Sequence, residues 1–386
     1  MKNILYIGNP GSIHDVKWIS YFSNKADNYK TYLIYEKQLL INFNELKEEL
    51  IKKNIILLRP ISSFSLIRPF SSLQSIITIN KYIKKFNIDI IHILFATPHA
   101  FWGLTLKSPF IITSRGSDIL KVIPSLNSER GIKGVYFKIL YNILKYTFKK
   151  ASAVTSTSDF QIENIHAMFS VKSQLIKTGI NFEEIQKKQN KDLLDASLKA
   201  QKYIFSPRFF SPIYNINLQI DSIKYLKKEI INTHVFVFIK GRNYDSDYAS
   251  NIEKKLINLS KSLNVRYLIL DFITQKEIWC YFQNASLTIM TPFSDGTPNS
   301  ALEAMASKSP LIMSDLPHLD KNLFSNTCFK FKGNNPEVLA ELIETSISNY
   351  PSNLLDNAML NVEKYGNRNI EMNKVESLYE DKQINK

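Results

Sequence analysis

Short apolar runs and amphipathic stretches alternate along the chain from its first residues. Runs over 3–8, 32–35, 55–58, 88–95, 110–114, 153–156 and 174–177 predict strands. Residues 13–23, 73–86, 135–148 and 159–168 have the 3.6-residue periodicity of helices. This alternation implies a parallel sheet covered on both faces. The near-continuous apolar run Ile90-Ile91-His92-Ile93-Leu94-Phe95 fits a strand buried on both sides. Residues 181–200 interrupt the rhythm with mixed charge and no strand, and read as a linker. The pattern then resumes, with strands at 203–206, 235–239, 267–271, 287–290, 310–313 and 328–331. Helices are expected at 216–226, 246–263, 276–282, 299–307 and 337–348. The fold class that follows is α/β: two Rossmann-like, doubly wound domains facing each other across a cleft. Ligands of such sheets sit at the carboxyl ends of the strands.

Composition narrows the class. With 386 residues, 44% hydrophobic and 22% charged, the chain is globular and long enough for two or three domains. Cys280 and Cys328 are too few for a disulfide framework, and their apolar neighbours suggest buried thiols in a reducing compartment. The apolar stretch from Ile4 to Ile7 is too short for a signal-peptide core, and residues 88–104 are broken by Asp89, His92, Thr97, Pro98 and His99. A membrane span is therefore not expected, and a cytoplasmic location is. The net charge of +14 is concentrated: residues 51–150 hold 16 Lys and Arg against 3 Asp and Glu, whereas residues 201–386 hold 21 against 20. A polyanionic partner for one side of the molecule explains this, and so does a lysine-rich coding bias.

The segment with readable chemistry is Ser294-Asp295-Gly296-Thr297-Pro298-Asn299-Ser300-Ala301-Leu302-Glu303-Ala304-Met305-Ala306. It follows a strand and opens a helix, with Thr297 expected as the N-cap and Pro298 in the first helical position. The amides of Asn299, Ser300 and Ala301 would then face an anion such as a diphosphate. Two carboxylates eight residues apart, Asp295 and Glu303, suit paired hydroxyls. The bland alternative is a strand–turn–helix with a surface Asp and a helix Glu.

This segment resembles the donor-binding signature of the retaining family 4 glycosyltransferases of the GT-B fold, the group 1 glycosyl transferases. Asp295 stands where that family usually has Glu. The resemblance implies that Glu303 binds a ribose and Asp295 the transferred sugar. The stretch Gly296, Thr297, Pro298, Asn299 and Ser300 would hold sugar and phosphates. Arg208 matches the family's diphosphate-binding Arg; the Lys that should follow is absent, with Tyr214 near its place and Lys240, in Lys240-Gly241-Arg242, as another source of charge. Arg115, in Thr113-Ser114-Arg115-Gly116-Ser117-Asp118, replaces the family's His. It cannot act as a base but can stabilise a leaving diphosphate or an acidic sugar. Gly11 and Ser12, in the loop Gly8–Ser12, together with Asp118, form the expected acceptor or phosphate loop. His14, His92 and His99 are candidates by position only. Thr178-Gly179-Ile180-Asn181 resembles the family's entry to its linker.

The resemblance implies an acceptor-side domain over 1–180, a linker over 181–200, and a nucleotide-sugar-binding domain over 201–365. A C-terminal helix over 366–386 would pack back on the first domain. Arg208, Asp295 and Arg115 are the expected catalytic residues. The co-substrate is a nucleoside diphosphate sugar; no cofactor or metal is expected, because no carboxylates or histidines have ligand spacing, and no nucleic acid partner either. The acceptor would be lipid-linked or a glycan. The helix over 134–150, with Lys138, Lys145, Lys149 and Lys150 among Tyr136, Phe137, Ile139 and Leu140, reads as able to lie on an anionic membrane. It reads equally as a core helix with solvated lysines. A peripheral place on the cytoplasmic membrane follows from the first reading, and a role in surface polysaccharide synthesis is expected of a transferase with such an acceptor. A GT-B phosphorylase, an epimerase and a non-catalytic polyanion-binding protein are the competing functions.

Overall fold

The computed structural model describes residues 1–37, 43–241, 244–295 and 297–381. The chain divides into two compact units, Met1–Thr178 with Glu371–Lys386, and Gly179–Ile370. Each is built on one parallel sheet.

In the first unit the strands are β1 (Lys2–Ile7), β2 (Tyr29–Ile34), β3 (Ile55–Leu57), β4 (Ile90–Leu94), β5 (Phe110–Thr113), β6 (Ala153–Ser156) and β7 (Gln174–Leu175). Their order is β3-β2-β1-β4-β5-β6-β7, and every pair is parallel. Alternate residues feed two separate cores. Leu5, Ile7, Ile91 and Ile93 join the core on one face, and Ile4, Tyr6, Ile90 and Leu94 the core on the other. A strand with a core on each face needs residues that are apolar or fully hydrogen-bonded at every position, and in β4 His92 is the single polar one.

The C-terminal helix Arg368–Glu380 closes one of these cores. Met372, Val375 and Tyr379, spaced to share one helix face, are buried against Tyr6, Trp18, Phe22 and Tyr29. Lys25 pairs with Glu376 at 2.6 Å, and the Lys177 amide donates to the buried Glu371 carboxylate at 2.8 Å.

The second unit has β8 (Lys202–Ser206), β9 (His234–Ile239), β10 (Tyr267–Leu270), β11 (Leu287–Met290), β12 (Leu311–Ser314) and β13 (Phe329–Phe331), ordered β10-β9-β8-β11-β12-β13 and all parallel. Residues 181–200, read as a linker, are packed into this unit. They form a helix, Phe182–Gln186, and two short turns, and Phe182, Ile185, Leu194 and Leu198 lie in its core. Their four anchors are scattered among charged residues with no regular period, so the composition of the segment hides its burial. The helix expected over 216–226 is shorter, Ile216–Ser222, and is followed by a tight turn and a further helix, Lys228–Thr233.

His92 is a core residue, not a ligand-facing one. Its Nδ1 lies 2.5 Å from the Tyr379 hydroxyl and its Nε2 lies 2.6 Å from the Thr113 hydroxyl, which contacts Thr155 at 2.7 Å. Burial, and secondarily the positive charge of Arg115, push the His92 pKa down to about 3. The unfolded chain therefore binds a proton that the folded chain refuses between pH ~6.5 and ~3. Stability is full above that window and falls as pH drops through it, by about 1.4 kcal/mol per pH unit from this group. We expect the slope of unfolding free energy against pH, measured by urea titration between pH 6.5 and 4.5, to become shallower in His92→Gln. A variant with the wild-type slope would exclude His92 as the source.

Candidate functional site

In both sheets the strand order reverses at one point, between β1 and β4 and between β8 and β11. Connections leaving two neighbouring strands in opposite directions open a crevice at their carboxyl ends, where such sheets bind ligands. In the second unit, β8 leads into Arg208 and β11 leads through Asp295 to the helix Asn299–Ala306. These are the residues that the sequence singles out.

They meet as one cluster. The Arg208 guanidinium places Nη2 2.9 Å from Asp295 Oδ2 and donates from Nη1 to the Ser300 hydroxyl at 2.8 Å. Its central carbon lies 4.0 Å from the centroid of the Tyr214 ring, a cation–π contact. Arg208 and Asp295 retain 15% and 18% of their side-chain exposure, so the pair is reachable. Nε of Arg208 is buried without a partner among the described residues. Tyr214, standing near the place of the family's Lys, thus supports the guanidinium instead of adding a second cation.

The support is layered. Phe209 meets Tyr214 edge-on, centroids 4.8 Å apart at 79°. Gly241, with φ of +78°, gives Phe209 its space, because a Cβ there would lie 2.6 Å from the Phe209 Cβ. Backbone bonds from Phe210 to Lys240 (3.1 Å) and from Phe293 to Ile213 (2.9 Å) tie the loops together.

The start of the helix differs from expectation by one residue. Pro298, not Thr297, is the N-cap, with extended ψ of 106°, and the helix starts at Asn299. The Pro298 carbonyl accepts from the amides of Ala301 (2.9 Å) and Leu302 (3.2 Å). The Ala301 amide is thereby committed within the helix, and Asn299 and Ser300 alone precede its first internal bonds. Gly296 lies outside the described residues, as does Arg242.

Glu303 is buried one turn further in. Gln275 Nε2 donates to its carboxylate at 2.7 Å. Burial lowers the pKa of Arg368, against the opposing pull of the Glu303 charge. Gln275 went unnoticed in the sequence, although it opens a helix, Gln275–Asn284, whose capping box of Thr274 and Glu277 is legible there. Lys240 pairs with Glu253 at 2.8 Å and lies 4.7 Å from the Tyr244 ring. It is grouped with these, not with Arg208 and Asp295.

In the first unit, Arg115 forms an ion pair with Asp15 and stands 5.7 Å from the Trp18 ring. Asp15 also accepts from the Asn9 amide at 2.7 Å. Ser12 caps the helix Ile13–Ser23 by accepting the Asp15 amide, and Gly11 donates to Asn9 Oδ1 at 2.9 Å. Nε and Nη2 of Arg115 are buried without partners among the described residues. Asp118 does not meet the expectation of a ligand-loop residue. It is fully enclosed, and its carboxylate accepts the amides of Ala96 (2.8 Å), Gly116 (2.9 Å) and Ile119 (3.0 Å). Burial pushes its pKa up. With the Arg115 amide as a fourth donor, at 3.2 Å, this hydrogen bonding organises the turn after β5 and leaves no face for a ligand. His99 lies 3.8 Å from the buried Glu36 carboxylate, which also accepts from Trp102.

The helix read as membrane-facing runs from Gly131 to Lys150. Lys150 is spent on the carbonyls of Gly103, Leu104 and Leu106 and is unavailable to a surface. Lys138 and Lys149 are exposed, as are Val135, Ile139 and Tyr146. Cys280 and Cys328 are buried free thiols. Among the described residues no cluster of three His, Cys, Asp or Glu side chains could hold a metal, and no helix is long and apolar enough to cross a membrane.

Two parallel sheets, with an arginine and a helix start joined at the reversal point of the second, define an α/β protein of the GT-B class. Residues 3–158 match the family model of the glycosyl transferase 4-like domain, and residues 186–365 match that of the group 1 glycosyl transferases. The chain belongs to the group 1 glycosyl transferases. It is 24% identical over 186 residues to the O-antigen chain mannosyltransferase RfbU of Salmonella typhimurium, a match spanning 48% of each protein, about half the length of that relative. A glycosyltransferase from Rickettsia africae superposes with a TM-score of 0.74 at 17% identity, covering 99% of this chain and 98% of that one. HepE from Anabaena, solved with UDP and glucose, gives 0.73 at 13% identity over 99% and 100%. Sucrose-phosphate synthase from Thermosynechococcus elongatus gives 0.70 at 15% identity over 98% of each chain.

The layering beneath Arg208 has a direct consequence. Gly241→Ala places a Cβ against Phe209 and in a left-handed backbone conformation, so it should destabilise by roughly 1–3 kcal/mol. We expect a lower thermal midpoint in calorimetry, and an unchanged midpoint would show that Phe209 moves aside freely.

Proposed function

We propose that this protein is a glycosyltransferase that takes a nucleoside diphosphate sugar as donor, and that the cluster of Arg208, Asp295, Ser300 and Glu303 receives it. The observation that carries the reading is the Arg208 guanidinium joined to the start of the helix Asn299–Ala306 at the strand reversal. A guanidinium and first-turn amides together form a diphosphate site. Asp295 neutralises Arg208 within the cluster. A diphosphate, with more charge and more acceptor oxygens, displaces that carboxylate and frees it for the hydroxyls of the transferred sugar. Glu303, oriented by Gln275, takes the ribose hydroxyls. HepE, which shares the fold, was solved with UDP-glucose, and this supports a nucleotide-linked donor.

As the glycosyl bond breaks, negative charge grows on the departing diphosphate and Arg208 stabilises it. The proposed outcome is retention of configuration by attack on the face that the phosphate leaves, with no enzyme nucleophile. Arg208 and the helix amides carry the diphosphate charge in this reading, so it requires no metal. Arg115 is the first unit's cation for a phosphate or acidic group. The acceptor is a lipid-linked or glycan substrate at an anionic membrane, in surface polysaccharide synthesis. Support for this comes from the Salmonella relative, an O-antigen chain mannosyltransferase, and from the basic stretch over residues 51–150.

Glu303→Gln should preserve the fold and weaken binding of the preferred nucleotide sugar by about 1.5–3 kcal/mol, because an amide accepts less strongly than a carboxylate. Isothermal titration measures this, and equal affinity would remove Glu303 from the site. Arg208→Ala should lower kcat by roughly 10²-fold with a smaller change in KM, since its charge matters most in the transition state. A mutant with normal kcat and only a raised KM would contradict the assignment.

A further inference from the structure

The helix Pro69–Lys85 packs Ile76, Ile79 and Ile83 on the core as an ordinary surface helix does, but its first turns are inverted in polarity. Ser72, Ser75 and Ile79 face inward, while Phe70, Leu73 and Ile77 face water at 83%, 52% and 59% exposure. These three share one helix face, and Ile67, 76% exposed in the preceding turn, extends the stripe. The inward serines hold that turn in place: Ser72 Oγ accepts from the Ser65 amide (2.9 Å) and donates to its carbonyl (2.8 Å), and Ser75 Oγ accepts from the Ser62 amide (3.1 Å). The apolar tip is thus held rigidly outward by hydrogen bonds that use the buried face. Large apolar side chains displayed in this way mark an interaction surface.

Charge selects the occupant. Residues 54–88 contain no Asp or Glu, while Arg59, Arg68, Lys81, Lys84 and Lys85 are all exposed. A second copy of the chain would bring the same positive charges into contact and be repelled. An apolar stripe with cations beside it is the form of a helix that lies in an anionic lipid interface.

We infer that the stripe of Ile67, Phe70, Leu73 and Ile77 inserts into the headgroup region of an anionic membrane, with Arg68, Lys81, Lys84 and Lys85 on the lipid phosphates. This rests on the reading that the acceptor lies at such a membrane, and it assigns the contact to insertion by Pro69–Lys85 instead of to the lysines of Gly131–Lys150. It says nothing of donor chemistry.

The test is co-sedimentation of the full chain with phosphatidylglycerol–phosphatidylcholine vesicles and with pure phosphatidylcholine vesicles. Wild type should bind the anionic vesicles at low salt. A Phe70→Gln, Leu73→Gln, Ile77→Gln variant should bind at least ~10-fold more weakly, because it loses about three inserted side chains, with its thermal midpoint unchanged. A Phe70→Trp variant should shift its fluorescence to the blue on anionic vesicles. If the triple variant binds as well as wild type, or the Phe70→Trp emission stays at its aqueous wavelength in the bound state, the inference is overturned. Loss of binding confined to Lys138→Glu and Lys149→Glu would overturn it while the membrane reading stands. Failure of wild type to bind would sink both, and donor titration of the same sample would show whether the transferase reading survives. A wild-type dimer that the triple variant dissolves would assign the stripe to a second copy and likewise overturn it.

Discussion

A parallel strand buried on both faces leaves no side-chain position open to a ligand, because alternate residues enter two cores and a polar one such as His92 is satisfied inside them. In this protein Leu5 and Ile7 enter one core and Ile4 and Tyr6 the other; in the second unit Phe205 and Ile204 divide in the same way. Polar groups that can meet a ligand are therefore confined to the strand ends, and the carboxyl ends gather the loops. Where the strand order reverses, two of those loops part and leave room. Arg208 and Ser300 are 92 residues apart in the chain and 2.8 Å apart in space because β8 and β11 are neighbours at such a point. The location of the site is a consequence of how the strands are ordered.

The charges near the strand ends are of two kinds, and their surroundings distinguish them. Asp118 is enclosed by backbone amides, and a carboxylate satisfied in this way holds a turn in shape. Arg208 and Asp295 instead neutralise each other while remaining partly open to water. Breaking a fully buried pair leaves an uncompensated charge and is strongly unfavourable, whereas a pair still in contact with water exchanges partners at smaller cost. That difference makes the second pair suited to an incoming anion and the first carboxylate suited to architecture. Arg115 and Asp15 lie between these extremes, more enclosed than Arg208 yet with two guanidinium nitrogens unmatched among the described residues.

Aromatic side chains supply the rigidity that these charges need. Phe209 supports Tyr214, and Tyr214 supports the guanidinium, so the orientation of one Arg depends on the space left by Gly241. In the first unit Tyr379 plays a comparable part. Its ring packs on Phe22 and its hydroxyl joins Tyr6 and His92, anchoring the C-terminal helix to the sheet. Each arrangement joins residues distant in sequence, Gly241 to Phe209 in one and Tyr379 to Tyr6 and His92 in the other.

The amino-acid sequence by itself determined the elements with strong periodicity and the chemistry carried by a contiguous segment. Strands such as Leu287–Met290 and helices such as Ile13–Ser23 and Ser246–Leu263 are where the pattern places them, because burial of one face imposes its period on the residues. Asp295, Ser300 and Glu303 were readable because they lie in one turn and the helix that follows it. The tertiary structure decided everything that depends on distant residues meeting. It anchored the stretch over 181–200 by Phe182, Ile185, Leu194 and Leu198, committed Lys240 to Glu253 and Lys150 to three carbonyls, enclosed Asp118, and brought Gln275 to Glu303 and Tyr214 to Arg208. It also turned Phe70 and Ile77 outward, although their residue types point inward. The physical reason is the same in each case: burial and charge pairing are set by neighbours in space, and the linear pattern specifies such neighbours only within a single helix, strand or turn.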